Sequence, residues 1–159
     1  MMQVRPTTKA DMAAVDALLA RTYPKLLKAD YPPSVLVTAL PIISRAQPAL
    51  LTCGPYYVVE EAGLVLGAGG WTPDKSDPIL AHIRHVVTDD RALRRGVGRR
   101  LMAHSFDMAR AHGATRMECW ATRTAVPFYT SMGFEQIGPI DVPLADGITF
   151  PSVRMMRDL

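Results

Sequence analysis

One stretch, Ala81 to Met102, limits the folds open to this chain more than any other. It reads A-H-I-R-H-V-V-T-D-D-R-A-L-R-R-G-V-G-R-R-L-M. The apolar, β-branched run of Ile83, Val86, Val87 and Thr88 predicts a buried strand. A polar turn over Asp89–Ala92 follows, then a basic turn containing glycine over Leu93–Gly98, and helical periodicity from Arg99. Strand, glycine turn and helix in that order aim free backbone N–H groups at an anion. Gly96 and Gly98 lack a Cβ, so a phosphate can approach the main chain closely. The first amides of a helix have no partner inside it, and the helix dipole favours negative charge there. Arg91, Arg94, Arg95, Arg99 and Arg100 crowd the same place. The simplest ligand that fits is a pyrophosphate.

The rest of the composition bears on where that ligand can come from. The formal net charge is only +3, and the basic excess is concentrated in this turn. One anionic ligand at one place is therefore expected, rather than a basic surface for nucleic acid. With 48% apolar and 21% charged residues over 159 positions, residues 1–159 read as a single globular domain with a sizeable core. The two cysteines, Cys53 and Cys119, lack metal-ligand spacing, and no metal is expected. A disulfide framework is not expected either, which suits a reducing compartment. The first residues lack the apolar core of a signal peptide, and no apolar run reaches the roughly 18–20 residues of a membrane span. The cytoplasm is the default expectation, with no membrane partner.

Taken in order, Val4 and its neighbours predict a first edge strand. A helix with Met12, Val15, Leu18 and Leu19 on one stripe follows, ending near Tyr23 because of Pro24. A second helix is expected over Val35–Arg45, kinked or divided at Pro41. From Leu50 the period changes. Tyr56–Glu60 and Leu64–Trp71 read as a hairpin about Glu61-Ala62-Gly63. Gly67, Gly69 and Gly70 mark a bulge or a close backbone approach in its second strand. Ile79–Thr88 is the central strand, Gly98–His112 a helix closed by Gly113, and Thr115–Ala121 the next strand. Ala125–Met132 is a short helix with Pro127 in its first turn and Gly133 after it. Phe134–Ile137 and Ile148–Met156 close the chain as strands joined by a Pro- and Asp-rich segment, Pro139–Gly147. That order predicts an α/β fold: a mixed sheet with helices on both faces.

With these residues in view, the chain resembles the GNAT superfamily of acetyl-coenzyme A-dependent N-acyltransferases. The R-R-G-V-G-R-R-L-M unit is similar to the family's pyrophosphate motif. Ala125 to Phe134, A-V-P-F-Y-T-S-M-G-F, is similar to its A-x-x-F-Y-x-x-x-G-F signature, roughly 30 residues downstream. The element order extends the likeness over essentially the whole chain. The resemblance implies the acyl-CoA N-acyltransferase fold, with a mostly antiparallel central sheet and a splayed strand pair. Two departures stand out: Leu93 occupies the first motif position, where the family has Gln or Arg, and Thr122 stands nearest to the family's Asn after the second central strand.

The implied reaction is direct acetyl transfer from acetyl-CoA, as co-substrate, to a primary amine of a small molecule or peptide. The cofactor-binding residues implied are Arg94, Arg95, Gly96, Val97, Gly98 and Arg99 for the diphosphate, Val86, Val87 and Thr88 for the pantetheine amides, and Thr122 for a hydroxyl contact. Tyr129 stands at the family's general-acid tyrosine. For the general base the strand offers His82, Arg84 and His85 and no carboxylate. Histidine suits a base near neutral pH. His82 is preferred over His85 because it lies nearer the strand start, with a water as the remaining candidate. Glu60 and Glu118 read as surface or salt-bridging residues, and Trp71 and Trp120 as core or cleft wall.

A catalytically weak acyl-CoA-binding regulatory or sensor protein of the same fold is the alternative, kept open by Leu93 and the missing strand carboxylate. A phosphate-binding module unrelated to acyl transfer would need the glycine turn without Tyr129. The acceptor pocket is expected from the first two helices, the Thr72–Pro78 loop and the Pro139–Gly147 segment. The acceptor's identity has no signature, and the oligomeric state is open, with a homodimer allowed by the resemblance.

Overall fold

A computed structural model describes residues 1–159. Its centre is a seven-stranded sheet: β1 (Gln3–Pro6), β2 (Tyr56–Glu61), β3 (Leu64–Pro73), β4 (Leu80–Thr88), β5 (Arg116–Ala121), β7 (Ile148–Asp158) and β6 (Glu135–Ala145), in that spatial order. Every neighbouring pair is antiparallel except β4–β5. The β2–β3 turn carries positive φ at Ala62 (51°) and Gly63 (80°), the geometry that matches the twist of a tight hairpin. In β3, the register to β4 shifts between Ala68 and Gly70. A Cβ on Gly70 would lie 2.1 Å from the Pro55 carbonyl oxygen, so the glycine-rich segment serves both a bulge and a close approach.

Helices cover both faces. α4 (Val97–Ala111) turns Val97, Leu101, Met102, Phe106 and Ala109 onto one face of the sheet, against Tyr57, Trp71, Met117 and Cys119. On the other face α1 (Met12–Leu27) packs Val15, Leu18 and Leu19 against Tyr56, Val58, Ala68 and Val87. A third cluster joins α1 and α2 (Pro33–Ile43) to β7 through Leu27, Tyr31, Leu36, Ala39 and Phe150. The four-residue α3 (Pro48–Leu51) leads into β2, and α5 (Val126–Ser131) follows β5.

Three local expectations need correction. α1 does not stop at Tyr23; it runs through Pro24 to Leu27. Proline removes one helical hydrogen bond, but the last turn buries Leu27 in the third cluster, and a buried leucine contributes about 1.5–3 kcal/mol. α2 likewise runs through Pro41 without dividing, and it starts at Pro33 and ends at Ile43. The Pro139–Gly147 segment is not a loop: β6 continues to Ala145 and pairs Pro139 with Val153 and Pro143 with Thr149. β6 is the sheet edge, where a missing N–H can face solvent.

The feature that makes a site is the parallel pair. β4 and β5 pair only at Leu80–Arg116, Ala81–Met117 and His82–Glu118. Beyond that point β4 continues to Thr88 and β5 to Ala121 with no ladder between them. β4 also bulges at His85, whose φ is +47°. A conformation that a non-glycine side chain rarely adopts is held here where the strands part.

Candidate active site

The gap between β4 and β5 opens into a cavity of about 600 Å³. The turn before α4 forms one end, α5 and β5 one wall, and β4 the opposite wall. α1, the end of α2 and the β6–β7 hairpin close the far side. The Thr72–Pro78 loop contributes no lining residue.

At the turn, Arg94 (φ +70°) and Gly96 (φ +79°) are both left-handed, and Gly96 is the residue preceding α4. The amides of Arg94, Gly96, Val97, Gly98 and Arg99 make no hydrogen bond within the protein. Arg94, Gly96, Val97, Gly98 and Arg99 all line the cavity. Left-handed residues around unbonded amides form a concave nest of donors for an anion. A Cβ on Gly98 would sit 3.0 Å from the Phe128 ring, so α5 closes against the main chain there. Arg95 differs from the expectation. Its amide donates to the Ala92 carbonyl (3.3 Å), its guanidinium pairs with Glu61 (2.7 Å), and it lies outside the cavity lining. Arg91 is likewise drawn to Asp89 (3.2 Å), which leaves Arg94 and Arg99 as the cations of the cluster that line the cavity.

Tyr129 projects from α5 into the same space, buried, with its ring edge-on to Phe128 and Phe134. Burial raises the phenol far above 10, and neighbouring Cys119 adds to the effect. The phenol therefore holds its proton in the resting site and is available there as a donor. Burial also pushes the Cys119 thiol up to about 12. Thr122 lines the cavity as well, and its hydroxyl oxygen accepts from the Ala125 amide (3.2 Å), leaving its own proton to donate.

On β4, Asp89 N–H donates to the Leu66 carbonyl (2.8 Å). By strand alternation Val87 spends its main-chain groups on β3, while Val86 and Thr88 turn theirs toward the gap. The Val86 carbonyl accepts from the Tyr23 hydroxyl (2.9 Å). The Tyr56 hydroxyl donates to the His85 carbonyl (2.8 Å). These two phenols hold the bulge from the α1 side.

The histidines separate clearly. His82, preferred from sequence as the base, does not line the cavity. It sits where the strands are still paired, with Nε2 2.6 Å from Asp74 Oδ1 and Nδ1 3.1 Å from Glu118 Oε1. Both ring nitrogens are thus engaged by carboxylates in the paired part of the sheet. The structure places His82 outside the cavity; the histidine that lines it is His85. Its Nε2 lies 2.8 Å from the Ile43 carbonyl oxygen, which fixes the proton on that nitrogen. Nδ1 is then the bare lone pair, buried and without a partner. Burial lowers the His85 pKa below 6.5, against the opposing pull of the Ile43 carbonyl, so the ring is neutral at pH 7.

Of two contributors, Tyr23 gave no signal in the sequence and His85 stood there as the second choice. Tyr23 reaches β4 only because α1 continues past it, and His85 reaches the cavity only because the bulge reorients it. Glu118 does bridge, to His82 and Arg154, and Glu60 to Arg5. Trp71 is buried, whereas Trp120 is 43% exposed and lines the cavity.

Residues 54–156 match the family described as the acetyltransferase (GNAT) domain. No curated protein matches the chain. Among solved structures, a GCN5-related N-acetyltransferase from Rhodopseudomonas palustris is similar at TM-score 0.79 and 18% identity, covering 99% of this chain and 95% of that one. The PaiA N-acetyltransferase from Thermoplasma acidophilum, in complex with coenzyme A, is similar at TM-score 0.77 and 10% identity, covering 100% and 99%. An IAA acetyltransferase from Bacillus cereus is similar at TM-score 0.64 and 16% identity, covering 100% of each. At these identities the likeness to solved structures is one of fold.

Proposed function

The chain belongs to the GNAT acetyltransferase family, and from that premise we propose that its β4–β5 cleft moves an acetyl group directly from acetyl-CoA to a primary amine. The observation that carries the reading is the set of unbonded amides from Arg94 to Arg99 at one end of a cavity whose wall holds the Tyr129 hydroxyl. Those amides, with Arg94 and Arg99, would take the diphosphate. The gap-facing groups of Val86 and Thr88, with the Thr122 hydroxyl, would take the pantetheine arm. The Val86 carbonyl becomes available once Tyr23 yields it.

Coenzyme A supplies a thioester whose carbonyl an amine can attack. The chain's residues orient the partners and move protons. An acceptor that arrives as an ammonium ion first releases one proton to solvent. Its nitrogen then forms the C–N bond while the C–S bond breaks. His85 Nδ1 takes the second amine proton, and Tyr129 gives its own to the departing sulfur. A proton passing from His85 to Tyr129 through water resets the pair. The products are the N-acetyl amine, coenzyme A thiol and one released proton.

Acetyl-CoA-dependent thiol release with a panel of amines tests this, run on the wild type and on Tyr129→Phe. The expected result is turnover by the wild type and a 10²–10⁴-fold loss in the variant, the usual range for removing a general acid, with coenzyme A binding retained. Coenzyme A binding with no thiol release from any amine would instead identify a cofactor-sensing protein.

A further inference from the structure

Besides Arg94 and Arg99 the cavity is lined by a third arginine, set away from the diphosphate turn. This is Arg84, beside His85 on the acceptor side of β4. No aspartate or glutamate lines the cavity. Arg84 takes part in no salt bridge, and its one hydrogen bond runs from Nε to Thr72 Oγ1 (2.8 Å). The nearest acids are already engaged. Asp74 holds His82 Nε2, the Ser76 and Asp77 amides and the Ser76 hydroxyl. Glu118 holds His82 Nδ1 and Arg154 Nε. A half-buried guanidinium thus keeps both terminal nitrogens without a protein partner. Burial lowers its pKa, and the nearby charges of Glu118 and Asp74 offset that only in part.

Fixing Nε on Thr72 leaves the two terminal nitrogens as an end-on fork, and that fork matches the two oxygens of a carboxylate. The same cavity carries an apolar stretch of lining, Leu26, Leu27, Ile43, Val142, Leu144 and Phe150. His85, the group assigned to receive the amine proton, is the next residue in the chain. An α-amino acid separates its amine and carboxylate by one carbon, which suits Arg84 and His85 because the bulge at His85 interrupts the alternation that would send adjacent side chains to opposite faces. We propose that the acceptor is a free amino acid with an apolar side chain, its carboxylate held on Arg84 and its side chain against this apolar lining. The inference rests on the acetyl-transfer reading above. Its product is an N-acetyl amino acid, so a reaction that supplies or releases free apolar amino acids must precede this one.

The test compares L-leucine with L-leucinamide, which share a side chain and differ in the charge that Arg84 would meet; the more acidic ammonium of the amide favours its turnover and so works against the predicted preference. kcat/KM is measured by thiol release, and binding to the coenzyme A-loaded protein is measured by calorimetry. The wild type should prefer leucine over leucinamide by at least about 30-fold in both, the scale of a lost charged hydrogen bond in a dry site. Arg84→Met should collapse that ratio to within about three-fold, and Arg84→Lys should restore part of it. Equal use of acid and amide, or a ratio that survives Arg84→Met, overturns the proposal while leaving acetyl transfer intact. An N-terminal peptide amine preferred over leucine overturns it in favour of a peptide acceptor. Absence of turnover with every amine overturns the proposal and the acetyl-transfer reading together.

Discussion

His85 concentrates several costs in one residue: a left-handed φ, a buried lone pair without a partner and a ring held neutral by its surroundings. Such costs persist where the surrounding structure fixes them, here through the Ile43 carbonyl and the Tyr56 hydroxyl. In the proposed reaction the working base is the neutral His85 ring, whose pKa burial lowers below 6.5. The acid limb of kcat/KM should therefore fall below pH 6.5, and His85→Gln should remove that limb together with most of the rate. A limb that stays in place in the variant would assign the titration elsewhere. Linkage gives the same residue a stability signature. The unfolded chain takes up a proton below about pH 6.5 and the native ring resists it, so the contribution is present above that value and lost as the pH falls. Thermal unfolding between pH 7 and pH 5 should be steeper for the wild type than for His85→Gln.

At the scale of elements, the turn before α4 is held from two sides. Asp89, 2% exposed, accepts from the Arg91 amide (2.8 Å) and pairs with Arg21 on α1 (2.6 Å). Asp90 pairs with Lys25, one helical turn further on (3.3 Å). Burial alone would raise the Asp89 pKa, but Arg91 and Arg21 outweigh it and hold the carboxyl below 3.8. Its contribution is therefore present above that pH and lost below it. Asp89→Asn should cost roughly 2 kcal/mol, read as a fall of about 4–8 °C in Tm, and should weaken coenzyme A binding by loosening the turn. Gly98→Ala places a methyl 3.0 Å from the Phe128 ring and should weaken coenzyme A about ten-fold with little effect on Tm. Gly96→Ala meets open space but keeps φ at +79°, so its effect should appear as roughly 1 kcal/mol of stability. The glycine turn, α4, α5 and the order of elements along the chain are legible in the sequence, because each rests on local signals: periodicity, glycine and proline position. What was not legible depended on partners distant in the chain. Arg95 turns away because Glu61 lies beside it in space, and His82 is occupied by Asp74 and Glu118 from neighbouring elements. Pro139 and Pro143 read as a loop until β6 is seen to be an edge.

Across the whole molecule, one sheet does two jobs by changing its pairing. The antiparallel strands and the two helical layers supply the core, and the single parallel pair comes apart to supply the cleft. No helix is long and apolar enough to cross a membrane. In the proposed reaction, main-chain donors around Gly96 and Gly98 grip the diphosphate of a thioester carrier. Calorimetric titration of the wild type with coenzyme A and with pantetheine, which carries the same arm without the diphosphate, measures that grip directly. The account predicts one saturable site for coenzyme A and at least about 100-fold weaker binding of pantetheine, since several charge-assisted hydrogen bonds are missing. Equal affinity for the two, or no binding of coenzyme A, would contradict it.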